Sequence, residues 1–434
     1  MSQNDLMTHL PIALRADPSR VVIRPFVPAE NPSSLTPPPR PRSQRIADRV
    51  LAMDQSSIRA ELEQVAVNLA DRHGDVQEVF QRRFHEVNGL LIDHCSVRAE
   101  QALLIGAYFT EEYAFEAAAL FNPSIVAHPD QTDLPAGARR FVLSLRSVGE
   151  GHVSSVTFRT GICGPNGLVT VDPPSLRAIA PRTEIIAGVV PGDPDIRLFC
   201  EESRDLSEIV ISPMTPFQQH GIEDMRLVRF TGDDGVTTYF GTYTAFSGQA
   251  IRQELLRTTD FNTIELSPLR GVASTGKGMA LFPRLIGGRY AMLGRQDHEN
   301  ISLLTSSDLY HWQDAGEVVV TPRWPWEFIQ IGNGGSPIEI EEGWLVITHG
   351  VGAVRNYCLG VCLLDRDNPA KLLARMTRPL VEPSAEQRYG YVPNVAYTCG
   401  AMVHDRTLVL PYAVADSYTT FATMPLDQLL GIME

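Results

Sequence analysis

The sequence predicts an all-β fold, a five-bladed β-propeller with an added N-terminal α-helical unit, on three observations. Helical periodicity is confined to residues 43–120. Beyond residue 121 one pattern recurs: a turn, an apolar or aromatic strand, then a polar residue at or just past the strand's end. That pattern occurs as GARRFVLSLR (137–146), GVTTYFGTYT (235–244), GGRYAMLGR (287–295), EGWLVITHG (342–350) and HDRTLVLPYAVAD (404–416). The later copies start about 55–60 residues apart, a propeller-like repeat, whereas the first interval is about 100 and predicts an insertion near 150–215.

Bulk properties narrow the class. A chain of 434 residues has room for two or three units around large cores. Hydrophobic content of 44% and charge of 20% describe a soluble globular protein. A net charge of -14 argues against a general nucleic-acid binder while leaving room for a small basic pocket. No apolar run approaches the roughly 20 residues a membrane helix needs. The first twenty residues lack a basic start and an apolar core, so they make a poor signal peptide. Cys95, Cys163, Cys200, Cys358, Cys362 and Cys399 are scattered and lack a histidine pair at ligand spacing. They read as buried reduced thiols, with no metal site, and place the protein in the cytoplasm.

In order along the chain, residues 1–42 read as a flexible proline-rich leader, with VVIRPF (21–26) able to lie as a strand. Residues 43–120 form an α-helical unit of about four helices. Ile46, Val50, Leu51 and Met53 have helical spacing, Ser56-Ser57 offers an N-cap, and Gly74-Asp75 separates the next helix. The last helical segment spans 96–120. Residues 121–434 form the propeller.

If strand ends deliver their polar residues to one axial pocket, Arg146, Tyr243 or Thr244, Arg295, His349 and Asp416 meet there. The stretch HGIEDMR (220–226) adds Glu223, Asp224 and Arg226 just before an apolar strand. Lys277, Asn122, Asn394 and Tyr357 complete the set. Carboxylates among amides and hydroxyls suit a sugar, and converging bases suit an oxyanion such as phosphate. The chain contains neither a phosphate loop of the GxxxxGK[ST] type nor a GxSxG elbow. GNGGSP (332–337) precedes a strand and reads as a tight turn that brings backbone near a ligand. One carboxylic acid, Asp224, beside bound phosphate suffices for inverting phosphorolysis. An inverting hydrolase needs a second carboxylate roughly 6.5–9.5 Å away, for which Glu299 and Glu327 are candidates.

These residues resemble a known family. FNPS (121–124), GIEDMR (221–226), KGMALFPRLIGGRYAMLGR (277–295), GNGGSPIEIEEGWLVITHG (332–350), YCLGVCLLD (357–365), VPNV (392–395) and PYAVAD (411–416) look like glycoside hydrolase family 130, the β-mannoside phosphorylases and related β-mannosidases. The resemblance implies a five-bladed propeller with Asp224 as catalytic acid, its proton passing through the substrate's 3-hydroxyl. It implies a mannose site of Asn122, Ser124, Arg146, Glu223, Tyr243, Asn394 and Asp416, and a phosphate site of Lys277, Arg295, His349 and Tyr357. The expected activity is phosphorolysis of a β-mannoside, β-1,2-linked by preference, with inorganic phosphate as co-substrate and no cofactor. A hydrolase of the same family and a non-catalytic glycan-binding propeller are the alternatives. The expected partners are a β-mannoside and phosphate, not nucleic acid or a membrane, with a homo-oligomer formed through the helical unit.

Overall fold

The computed structural model describes residues 7–29, 40–89, 97–190 and 193–434. Residues 1–6 and 30–39 of the expected leader, and Cys95, lie outside the described residues. The chain divides into two compact units. One comprises Met1–Pro18, Phe115–Ser175 and Pro181–Glu434; the other comprises Ser19–Ala114 with Leu176–Ala180.

Among the described residues the smaller unit holds four helices, α1 (Arg42–Leu51), α2 (Gln55–Leu69), α3 (Val76–Asn88) and α4 (Ala99–Tyr108). Ala47 and Val50 of α1, Ile58 of α2, Phe84 and Val87 of α3 and Leu104 and Ile105 of α4 form its core. Gly106 lets α4 close on α3, because a Cβ there would strike the Phe80 carbonyl. The N-cap of α2 is Asp54, which accepts the Ser57 N–H at 2.9 Å, rather than the expected Ser56-Ser57. The last helix ends at Tyr108, short of the expected residue 120. Thr110–Ala114 instead pairs antiparallel with Val21–Pro25, a strand within the expected leader. Backbone groups on that stretch find partners across the two-stranded ladder, and Arg24 fastens it by pairing with Glu111 at 2.6 Å and covering the Tyr113 ring.

The larger unit is almost entirely antiparallel sheet. Five meanders follow one another, spanning 119–171, 221–268, 277–320, 330–375 and 396–425. The first two are joined at their inner strands by the single pairing of Gly221 with Ser154. The expected insertion is a hairpin, Arg182–Val190 with Asp193–Phe199, added to the edge of the second meander through Phe199 and Thr263. Thr8 and His9, placed in the leader by sequence, pair with Thr423 and Ala422 of the last meander. Apolar side chains fill the layers between adjacent meanders, as period-two alternation requires. One such layer packs Val156 and Phe158 against Met225, Leu227 and Tyr243.

Three of the five first strands share a local device. Register slips between Phe121 and Ser124, between Glu223 and Arg226, and between Lys277 and Ala280. Each slip is a bulge whose extra residue is left-handed: Asn122 (φ 50), Asp224 (φ 55) and Gly278 (φ 79). In the fifth meander Asn394 (φ 61) precedes the corresponding strand. Asn, Asp and Gly are the residue types that tolerate this conformation best.

Candidate active site

The bulges aim side chains away from the ladder and interlock the meanders. Asn122 Nδ2 donates to Asp224 Oδ1 at 2.6 Å. From the adjacent strand, Arg146 donates to Asp224 Oδ1 at 3.1 Å and to Glu223 Oε1 at 2.7 Å. Burial pushes the Asp224 carboxyl up. The Arg146 charge, the Asn122 hydrogen bond and the charges of Arg226 and Lys277 outweigh it, so Asp224 sits below the usual carboxylate range. Asp416, itself left-handed at φ 48, behaves oppositely. Burial and the Asp224 charge push it up to about 7 against the pull of Arg146 and Arg355. Two neighbouring carboxyl groups near one guanidinium divide in this way, one ionised and the other titrating near neutrality.

A second cluster is basic. Lys277 and Arg295 are direct partners in an antiparallel pair, so their side chains share one face. Among the described residues neither makes an ion pair with a carboxylate. Arg295 donates to His349 Nε2 at 3.0 Å. Burial, Arg295 and Arg226 hold His349 far below its ordinary pKa, so it is neutral and accepts that bond. The expected trio of bases is therefore two cations and a neutral imidazole. Tyr357 stacks on His349 with centroids 6.1 Å apart, and Tyr397 lies 4.8 Å from it.

Arg226 connects the two clusters. Its buried guanidinium donates to Gly278 O (3.0 Å), Asn333 O (2.7 Å) and the Tyr397 hydroxyl (2.9 Å), linking the second meander to the third, fourth and fifth. Arg226 and Asn333 were picked out from the sequence without this role, and Tyr397 and Arg355 were not picked out at all. The recurrent Asn, Asp or Gly at the head of four of the five first strands, in FNPS, EDMR, KGMA and PNVA, is the signal that could have exposed this network.

Some expected site residues stand elsewhere. Tyr243 is turned by strand alternation into the layer beside Met225 and Leu227, where its hydroxyl donates to Glu254 at 2.8 Å. It does not join Asp224, and neither does Thr244, whose hydroxyl accepts from Gln253. Ser124 is fully buried and accepts the Leu227 N–H at 2.9 Å, tying two first strands together. The Asn394 carbonyl accepts the Tyr357 N–H, so its backbone positions the basic cluster. Glu327 is buried against Arg375 at 2.7 Å and also accepts the Arg323 and Trp324 N–H groups. With its oxygens thus occupied it cannot act as a hydrolytic base; Glu299 is exposed. Among the described residues no three His, Cys, Asp or Glu side chains converge as a metal site. No helix there is long and apolar enough to cross a membrane.

Comparison with known proteins converges on one family. The profile of glycoside hydrolase family 130, described as beta-1,4-mannooligosaccharide phosphorylase, matches residues 200–434, more than half of the chain. A 1,2-beta-oligomannan phosphorylase of a Thermoanaerobacter species is 33% identical over 229 residues, 52% of this chain and 75% of that protein. A beta-1,2-mannobiose phosphorylase of Listeria innocua is 31% identical over 228 residues, covering 51% of this chain and 62% of that protein. The solved structure of the Listeria innocua beta-1,2-mannobiose phosphorylase with its disaccharide superposes with a TM-score of 0.50 at 21% identity. That superposition covers 72% of this chain and 91% of the other. A glycoside hydrolase structure from Parabacteroides distasonis superposes at 0.52 with 18% identity, covering 73% and 89%.

Proposed function

Because the chain belongs to glycoside hydrolase family 130, we propose that it is an inverting β-mannoside phosphorylase whose five meanders are the blades of a propeller around the Asp224 site. The observation that carries the reading is the facing pair Lys277 and Arg295. Like charges directly opposite on a sheet are destabilising, and these two have no carboxylate partner among the described residues. A bound dianion relieves both. Phosphate is the dianion that, next to a single acid, makes chemistry possible.

In the reaction a phosphate oxygen attacks C1 of the mannose from the face opposite the leaving oxygen. The bond from C1 to the glycosidic oxygen breaks, and that oxygen takes the proton supplied from Asp224, through the 3-hydroxyl as the family resemblance implies. The products are mannose 1-phosphate, inverted at C1, and the shortened alcohol. Asn122, Arg146 and Asp416 hold the mannose; Lys277, Arg295, the neutral His349 and Tyr357 hold the phosphate. The charge balance couples the two sites. In the free enzyme cations keep Asp224 ionised, and phosphate on Lys277 and Arg295 offsets them, raising Asp224 toward a working acid. The names of the first two relatives favour a β-1,2 linkage. Five buried free cysteines favour the cytoplasm.

Assays of β-1,2- and β-1,4-mannobiose with and without phosphate test the reading. Mannose 1-phosphate should form only with phosphate, and equal release of free mannose without it would overturn the proposal. Hydrolysis is the second reading, favoured by one feature: a carboxyl at Asp416 titrating near neutrality beside Asp224 could serve as base. We also assign a homo-oligomer contact to the helical unit, where Val67 of α2 is 66% exposed. Val67→Glu should lower the mass measured by light scattering, and an unchanged mass would remove the assignment.

A further inference from the structure

We propose that Tyr389, Tyr391 and His152 form a stacking platform for the leaving-group sugar, the part of the β-mannoside beyond the bond that is cut. This assignment rests on the phosphorylase reading above.

The platform is built against the mannose site. Between the fourth and fifth meanders the chain returns over Ala415 and Asp416. The Val392 N–H donates to the Ala415 carbonyl at 3.0 Å. Gly390 is in close contact there: a Cβ on it would lie 2.5 Å from the Ala415 oxygen and 2.6 Å from the Ala415 Cβ. With Gly390 seated on the residue before Asp416, its neighbours Tyr389 and Tyr391 stand outward, 86% and 48% exposed. Across from them, His152 lies in the turn that follows the strand carrying Arg146. Two successive left-handed residues, Gly151 (φ 69) and His152 (φ 61), shape that turn. His152 Nδ1 lies 3.2 Å from the Tyr391 hydroxyl, and the rings are 5.9 Å apart at 33°. An aromatic pair thus joins the first meander to the segment that leads into the last one, beside the residues assigned to the mannose.

The chemistry of these rings fits a sugar. Pyranose faces are patches of C–H groups edged by hydroxyls, and they pack on the electron-rich faces of aromatic rings. The Tyr hydroxyls and the imidazole supply neutral hydrogen-bonding groups at the rim. Left-handed backbone at a non-glycine residue carries strain, which persists where surrounding structure and function hold it. Sequence reading had no reason to single out these three residues, since they lie outside the repeated strand ends.

The test uses the full chain in the synthetic direction, with mannose 1-phosphate as donor and mannose or mannobiose as acceptor. Tyr389→Ala and Tyr391→Ala should each raise the acceptor KM roughly two- to tenfold while leaving the KM for mannose 1-phosphate unchanged. Tyr391→Phe, which keeps the ring and loses the hydroxyl, should recover most of the acceptor affinity. Alanine variants with acceptor KM within twofold of wild type would overturn the platform alone. So would an equal rise in donor KM, which would mark a structural effect, or a change in oligomeric mass, which would mark a protein contact. A wild-type enzyme that forms no glycosidic bond from mannose 1-phosphate would overturn the phosphorylase reading, and the platform with it.

Discussion

Gly332→Ala is the most informative perturbation of the basic cluster. Gly332 pairs directly with His349, and a Cβ added there would lie 2.5 Å from His349 Cε1, 2.6 Å from Nε2 and 3.1 Å from Arg295 Nη1. Ordinary carbon contacts begin near 3.5 Å, so the imidazole must retreat by about 1 Å. That retreat stretches the Arg295–His349 hydrogen bond of 3.0 Å beyond bonding range. A hydrogen bond to a charged group contributes about 1.5–3 kcal/mol, equivalent to roughly 10- to 150-fold in binding. Gly332 does not adopt a left-handed conformation, so alanine adds no backbone strain. The expected result is a phosphate KM raised at least roughly tenfold, read from initial rates at saturating β-mannoside, together with a lower melting temperature, because a buried imidazole is displaced and its hydrogen bond lost. A phosphate KM within twofold of wild type would refute the assignment of the Arg295–His349 pair to phosphate.

Other expectations follow from the same geometry. Asp224→Asn keeps an acceptor for Asn122 and Arg146, so the fold should survive while turnover falls by roughly 10²–10⁴; near-normal turnover would remove Asp224 as the acid. Asp416, raised to about 7, binds a proton in the folded state that an unfolded aspartate releases near 4. Its contribution to stability is therefore lost as pH rises from about 4 to 7. Asp416→Asn should flatten that part of the stability curve measured by denaturant titration, and an identical curve would count against a raised Asp416 carboxyl. Arg226→Met removes three hydrogen bonds from a buried cation and should cost about 4 kcal/mol; a loss below about 1 kcal/mol would mean that Arg226 does not bind the meanders together.

By itself the sequence determined the mostly β class of the fold and named several of the residues that meet in the candidate site. Strand periodicity after residue 121 and recurrent polar strand ends depend only on local alternation, which is why Arg146, Arg295, His349 and Asp416 were legible. Asp224 was legible as the carboxylate heading a strand. What escaped depends on contacts between residues far apart in the chain. Strand alternation sends Tyr243 into the layer between meanders, and the sequence cannot say which face of that strand is the layer. Thr8 belongs to a strand whose partner, Thr423, lies far along the chain, so no local signal separates it from a leader; the run at Val21 was legible as a strand, but its partner Ala114 was not. Protonation was equally invisible, because His349 becomes neutral through burial beside Arg295 and Arg226, and burial and the Asp224 charge together raise Asp416 to about 7. Residue types are written in the chain, whereas tertiary structure decides which of them share a low-dielectric neighbourhood, and electrostatics follows that neighbourhood.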